Sequence, residues 1–135
     1  LWTNLLQAVN AMDNAHQQNV VNLPKLREAA VMESLIATVA SENSWDELLT
    51  LLPLLDQDHL TPVVDVLTER QPETLDQAFT QAHDSNLLGL FGHLPDAELP
   101  RVAKVLKHQA ADSWQAFVAR NGDAHEIEAL KAQMA

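Results

Sequence analysis

The chain has no cysteine and no tyrosine, only three glycines, and only eight lysines and arginines against nineteen aspartates and glutamates. Without cysteine there can be no disulfide and no thiolate metal or redox site. This fits a reducing compartment, and we predict a cytoplasmic protein. The sequence also lacks a run of about 18 apolar residues, so direct insertion into a membrane is not expected.

An initiator methionine and a basic leader are both missing from the start of the chain, which begins at Leu1. We therefore expect no signal peptide, and either a piece of a longer protein or a chain whose start was removed. The 135 residues are the usual length of one domain. No linker or low-complexity segment divides them, so we predict a single domain over 1–135.

The negative charge is concentrated in the middle of the chain. Residues 42–98 contain twelve acids and a single base, Arg70, whereas acids and bases balance elsewhere. Such a surface repels phosphate backbones, which argues against a nucleic-acid partner. It could attract a basic partner or divalent cations, although solubility alone also explains it.

Hydrophobic periodicity and capping residues predict an all-α fold of about nine short helices. Asn22 is predicted to cap the second helix, and Ser44 with Glu47 forms the pattern of a capping box for the third. The predicted helices cover 2–16, 22–41, 44–52, 57–70, 72–82, 87–93, 96–109, 113–120 and 123–134.

Part of the chain repeats itself at a constant offset of 39, because Leu48–Gln71 aligns with Leu87–Ala110. We predict repeats at about 44–83 and 84–121, with a possible partial repeat at 23–41. A period of this length is typical of stacked helical units that cannot bury their apolar faces alone. The predicted architecture is a right-handed α-solenoid-like array.

Short helices separated by Leu-Pro and Asp turns resemble armadillo and HEAT-like repeats. The run from Leu94 to Val102, Leu-Pro-Asp-Ala-Glu-Leu-Pro-Arg-Val, is similar to helix junctions in the cytosolic domain of bacterial magnesium transporters. It is also similar to the repeats of the flagellar motor switch protein. The resemblance covers about 44–121 and implies a fold type. The transporter family implies magnesium sensing, but no individual ligand can be matched.

Candidate metal ligands are few. The six histidines show no His-x-x-x-His spacing, whereas zinc needs three or four converging ligands. The closest group is Asp56, Asp58 and His59 at a helix start. Carboxylates at that place also suit capping and the helix dipole, so a structural role is the competing explanation.

One basic stripe is present, because Arg101, Lys104, Lys107 and His108 share one face of the seventh predicted helix. It is either a docking strip for an acidic partner or an ordinary solvated face. If it lies beside the acidic face of the preceding repeat, self-association is possible. Trp2, near a terminus, is a further candidate contact, with packing between helices as the alternative.

Catalytic signatures are absent from the sequence, which contains no G-x-S-x-G, no H-E-x-x-H and no glycine-rich phosphate loop. We therefore expect no enzyme and no cofactor. The predicted function is a non-catalytic protein-interaction or scaffold module with a protein partner. The alternative is a divalent-cation-sensing domain of a membrane transporter, and an enzyme of unknown class is a third possibility.

Overall fold

The computed structural model describes residues 2–134, and the regular structure in that range is entirely helical, as predicted. The α-helices are α1 (Trp2–Asn10), α2 (Asn14–Val21), α3 (Ala29–Glu42), α4 (Trp45–Leu49), α5 (Gln57–Asp65), α6 (Glu73–Gln81), α7 (Asp84–Gly92), α8 (Leu99–Gln109), α9 (Ala111–Asn121) and α10 (Glu128–Met134). Single 3-10 turns lie at Pro24–Arg27, Leu52–Leu54, Asp96–Glu98 and His125–Ile127, and a π turn at Val66–Arg70 continues α5.

The first predicted helix, 2–16, is wrong because the chain breaks after Asn10 and starts again as α2. Asp13 has an extended backbone and its carboxylate accepts a hydrogen bond from the His16 amide at 2.9 Å. This is an N-cap, which favours a new helix start over continuation. The structure therefore has ten α-helices within residues 2–134, against about nine predicted.

Asn22 does not start a helix, and Ser44 precedes α4 as predicted but makes no capping hydrogen bond, because tertiary partners take both side chains. Asn22 ends α2 and bonds across to the next unit, where its amide donates to the Leu54 carbonyl and its oxygen accepts from the Asp56 amide. The segment predicted to be helical from Asn22 therefore forms only a 3-10 turn, and α3 begins at Ala29. Ser44 makes no side-chain cap and instead lies 3.1 Å from the Thr3 hydroxyl.

Helices about one repeat length apart in the sequence contact one another in chain order. α1 contacts α4, α4 contacts α7, and α7 contacts the His125–Ile127 turn, while α3 contacts α6 and α6 contacts α9. This order is compatible with a helical repeat fold, and the solenoid itself stays a prediction. No helix within residues 2–134 is long and apolar enough to cross a bilayer.

Four aromatic rings join the two predicted repeats. Phe79 of α6 and Phe91 of α7 pack against Trp114 and Phe117 of α9, with ring centroids between 5.4 and 6.5 Å apart. All four side chains are buried. Aromatic pairs at these separations contribute about 0.5–1.5 kcal/mol each beyond their buried area, so this cluster forms much of the core of the C-terminal half.

His59 is the one fully buried ionisable side chain among residues 2–134. Its Nδ1 lies 2.6 Å from the Asp56 carboxylate, and its Nε2 donates to the Leu23 carbonyl at 2.8 Å. The ring therefore ties the start of α5 to the loop that precedes the Pro24–Arg27 turn. Two satisfied nitrogens explain how a polar ring is tolerated in the core.

Replacing His59 with leucine is expected to lower the free energy of unfolding by about 1–3 kcal/mol, because the contacts of the buried ring with Asp56 and with the Leu23 carbonyl are lost. His16 provides a matched control, since it follows Asp13 in the same Asp-x-x-His pattern but its side chain is 72% exposed. His16→Leu should change stability by less than about 0.5 kcal/mol. Urea denaturation followed by circular dichroism measures both, and equal losses would contradict the role given to His59.

Candidate partner-binding surface

The basic stripe predicted from the sequence lies on α8, an amphipathic helix. Its inner face is buried against the rest of the protein through Leu99, Val102, Ala103, Val105 and Leu106. Because residues three and four apart share a helix face, this burial turns Lys104, Lys107 and His108 towards solvent, where all three are exposed.

Arg101 differs from the other members of the stripe because carboxylates surround its guanidinium group. Its nitrogens lie 2.7 Å from Asp65, 2.6 Å from Glu98 and 3.0 Å from Glu69. The hydrogen bond with Asp65, followed by that with Glu98, raises the pKa of Arg101, while partial burial opposes the shift. Arg101 therefore links α8 to α5 and to the π turn that continues α5. Its positive charge is already compensated by these carboxylates.

Lys104, Lys107 and His108 form the part of the stripe that remains available, and we call these three residues the α8 strip. Within residues 2–134 none of them has an ion-pair or side-chain hydrogen-bond partner. The strip is thus an exposed basic surface on a chain with a net charge of −11.

Two shallow grooves flank the α8 strip, and Lys104 and His108 line both of them. The first, of about 260 Å³, lies between α8 and the π turn and is also lined by Thr68, Pro72 and Val105. The second, of about 210 Å³, lies between α8 and α10 and includes Lys107, Ala103 and Met134. Each groove places some apolar surface beside cationic groups, and the Glu69 carboxylate also lines the first groove.

The predicted metal candidates have other partners in the structure. His59 uses both ring nitrogens internally, Asp56 caps α5 through the His59 amide at 3.0 Å, and Asp58 lies exposed in the first turn. The hydrogen bond with the His59 side chain lowers the pKa of Asp56. Among residues 2–134 no group of three or more His, Asp or Glu side chains is placed to hold a metal ion.

Trp2, the remaining partner candidate, is partly buried and packs against the core. Its indole nitrogen donates to the Ser34 hydroxyl at 3.4 Å, which links α1 to α3. The indole therefore takes part in packing between helices, and only part of it is left for an external contact.

Two aspartates, Asp46 and Asp84, hold neighbouring helices together through contacts that the sequence reasoning did not predict. Asp46, at the start of α4, accepts hydrogen bonds from the His83 amide at 2.8 Å and from Asn86 at 2.7 Å. Asp84, at the start of α7, accepts from Arg120 at 2.8 Å and from Asn121 at 2.9 Å. Both aspartates lie at the start of the first helix of a predicted repeat. This shared position is the feature of the sequence that could have identified them.

Comparisons with protein-family models, with curated proteins and with solved structures found no match for this chain. The resemblance to helical-repeat and transporter domains is therefore supported only by the all-helical fold, and the family stays a hypothesis.

Arg101→Met is expected to destabilise the fold by about 1 kcal/mol, since it leaves three carboxylates facing one another beside α8. Lys104→Met removes the same charge one turn away and should change stability by less than about 0.5 kcal/mol. Urea denaturation at low salt compares the two. Equal effects would show that Arg101 is not a structural clamp.

Acid should weaken the contact at Asp84. The side-chain hydrogen bond with Arg120 lowers the pKa of Asp84 in the folded state, so its stabilisation is complete above the unfolded pKa of about 3.9 and is lost as pH falls through the folded value.

The stability gap between the wild type and Asp84→Asn should therefore shrink between roughly pH 5 and pH 2. Asp123→Asn is the control, because Asp123 is exposed, and its gap should stay small throughout. Thermal melts over this pH range measure both gaps. A gap at Asp84 that stays constant with pH would contradict this role.

Proposed function

We propose that this chain is a non-catalytic protein-interaction module that binds an acidic, amphipathic segment of a partner protein on the α8 strip. The observation that carries the proposal is the placement of Lys104, Lys107 and His108. They are exposed, lack internal partners within residues 2–134, and lie between two grooves. Carboxylates of the partner would contact the cations while its apolar side chains enter the grooves.

The negative charge of the rest of the molecule favours binding of such a partner at the α8 strip. The chain carries nineteen acids against eight lysines and arginines, and Arg70, Arg101 and Arg120 are already paired with carboxylates. An acidic segment placed elsewhere meets mostly like charge, which costs free energy. The α8 strip therefore contributes specificity and register, whereas the grooves contribute apolar burial.

A solenoid architecture belongs to the same proposal. Within residues 2–134, every side-chain hydrogen bond between residues more than nine positions apart spans 32 to 41 positions, which is about one repeat. A unit that contacts only its neighbours is the defining property of stacked repeats. In such an array α8 would be the middle helix of the second repeat, with its strip on the outer surface.

Fluorescence anisotropy with a rhodamine-labelled peptide of repeated Glu-Leu-Ala-Glu segments tests the interaction. We expect Lys104→Glu to weaken binding at least about fivefold, and added salt to weaken binding to the wild type, because exposed charges are screened. Lys25→Glu is the matched control, since it makes the same charge change at a side chain that is 78% exposed. It should leave affinity within about twofold.

The same peptide with glutamine in place of glutamate separates charge from apolar contact. It should bind more weakly to the wild type and should not distinguish the wild type from Lys104→Glu. Equal weakening by Lys104→Glu and Lys25→Glu would show only a dependence on net charge. That result, or no binding at all, would overturn the α8 strip as the site.

A further inference from the structure

The helices α3, α6 and α9 contact one another in chain order, and α9 is the last of this series within residues 2–134. It packs mainly against α6 and α8, both of which precede it in the chain. Ser113 of α9 donates a hydrogen bond to Asp76 of α6. Arg120, two helical turns later, pairs with Asp84 of α7. These contacts mark the side of α9 that faces the rest of the protein.

A groove lies on another side of α9. It has a volume of about 280 Å³ and is lined by Trp114, Gln115 and Val118 of α9 with Lys131 and Met134 of α10. We call it the α9 groove. Gln115 and Val118 lie roughly opposite Ser113 around the helix, since successive residues turn by about 100°. The one charged residue of the groove, Lys131, donates to the Gly122 carbonyl at 3.0 Å.

The α9 groove lies at the position through which α6 holds α9. The contact of α6 with Ser113 is made by Asp76. Equivalent residues of the two predicted repeats are 38 or 39 positions apart, so the equivalent of Asp76 on α9 is Trp114 or Gln115. Both of these residues line the α9 groove. The groove is therefore the continuation of a surface that already binds a helix in the preceding unit.

The composition of α9 suits a covered surface. The outer face of a repeat that stays in solvent is normally polar. Residues 113–119 contain no charged side chain, although the chain as a whole carries a net charge of −11. An apolar helix can therefore approach this part of α9 without burying an unpaired charge.

A carboxylate recurs next to this surface. Asp46, Asp84 and Asp123 follow one another at offsets of 38 and 39. Asp46 accepts hydrogen bonds from the start of α7, and Asp84 accepts them from the end of α9. Asp123 directly follows Gly122, is exposed, and has no ion pair or side-chain hydrogen bond within residues 2–134.

We propose that the α9 groove binds a helix of a partner protein whose contact face resembles that of α9 itself. Such a helix has aromatic residues at i and i+3, as Trp114 and Phe117 are placed, and an arginine or asparagine in its last turn. Its aromatic rings pack over Val118 and Met134, as α9 packs over α6. Its terminal donor pairs with Asp123, as the end of α9 pairs with an aspartate.

This occupant differs from the one proposed for the α8 strip. The strip is basic and calls for an acidic segment, whereas the α9 groove calls for an aromatic helix that carries a donor or a positive charge. Continuity with the contact between α6 and α9 selects it, because that contact already shows which helix face fits the equivalent surface.

NMR titration of the ¹⁵N-labelled chain with a synthetic helix tests the proposal. The probe is a hydrocarbon-stapled peptide of Ala111–Asn121, with the staple joining the positions of Asp112 and Ala116, away from the aromatic pair. We expect saturable shifts at Gln115, Val118 and Asp123 at peptide concentrations below about 1 mM. A peptide with alanine at both aromatic positions should bind at least about tenfold more weakly, since aromatic anchors carry much of the binding energy.

Variants of the chain locate the contact. Gln115→Glu should weaken binding at least about fivefold, because it places a carboxylate under an apolar helix face. Gln18→Glu is the matched control, since it makes the same change at an exposed position of α2, and it should leave affinity within about twofold. Asp123→Asn should weaken binding at least about threefold. Lys104→Glu should have less than about a twofold effect, so failure here is separate from failure of the α8 strip.

No binding, equal binding of the two peptides, or equal effects of Gln115→Glu and Gln18→Glu would overturn the proposal. Shifts confined to Asp76 and Phe79 would show that the peptide displaces α9, and shifts in the groove that follow protein concentration without peptide would assign it to a second copy. Both of these results would also overturn it. Circular dichroism melts check that Gln115→Glu retains the fold, as expected for an exposed position.

Discussion

Every helix in the described part of the chain depends on apolar surface supplied by other helices. The longest, α3, has 14 residues, and most have seven to eleven. Isolated helices shorter than about 12–15 residues are marginal in water. Packing of the buried leucines, valines and aromatic rings therefore determines where the helices lie. The helix positions in turn determine which residues reach the surface. The aromatic cluster around Phe79 and Phe117 shows this most clearly, because α6, α7 and α9 each supply part of it.

Polar side chains set the register between these helices. Asp46 and Asp84 each open one helix and bind the segment that follows about one repeat later. His59 links α5 to Leu23 in the same way. Since apolar contacts are not directional, such hydrogen bonds select one arrangement among several that would bury similar area. The bonds from Asn86 to Asp46, from Asn121 to Asp84 and from His59 to Leu23 are partly buried, which is the situation in which such bonds contribute specificity.

The distribution of charge follows from the same packing. Arg101 contacts three carboxylates, and Arg120 makes two hydrogen bonds to the carboxylate of Asp84. The forked geometry of the guanidinium group suits such multiple contacts. Lys104 and Lys107, which form the α8 strip together with His108, have no such partner within residues 2–134.

The sequence alone determined the helical fold class, because periodic leucines, valines and prolines favour short helices and no alternating pattern supports a strand. It also predicted the basic face of α8, since helical spacing fixes which residues share a side. Helix ends were less predictable. The break before Asp13 accompanies a local N-cap bond to the His16 amide. The uses of Asn22 and Ser44 depend instead on hydrogen bonds to neighbouring helices, which compete with local capping.

Only the tertiary structure decided which members of the basic stripe are available. Arg101, Lys104 and Lys107 look alike in the sequence, but Asp65, Glu69 and Glu98 come close to one of them alone. It likewise showed that His59 is internal whereas His16, in the same local pattern, is exposed. A local pattern determines which face of a helix is polar. It does not determine what lies opposite that face, because that partner comes from a segment about one repeat away in the chain.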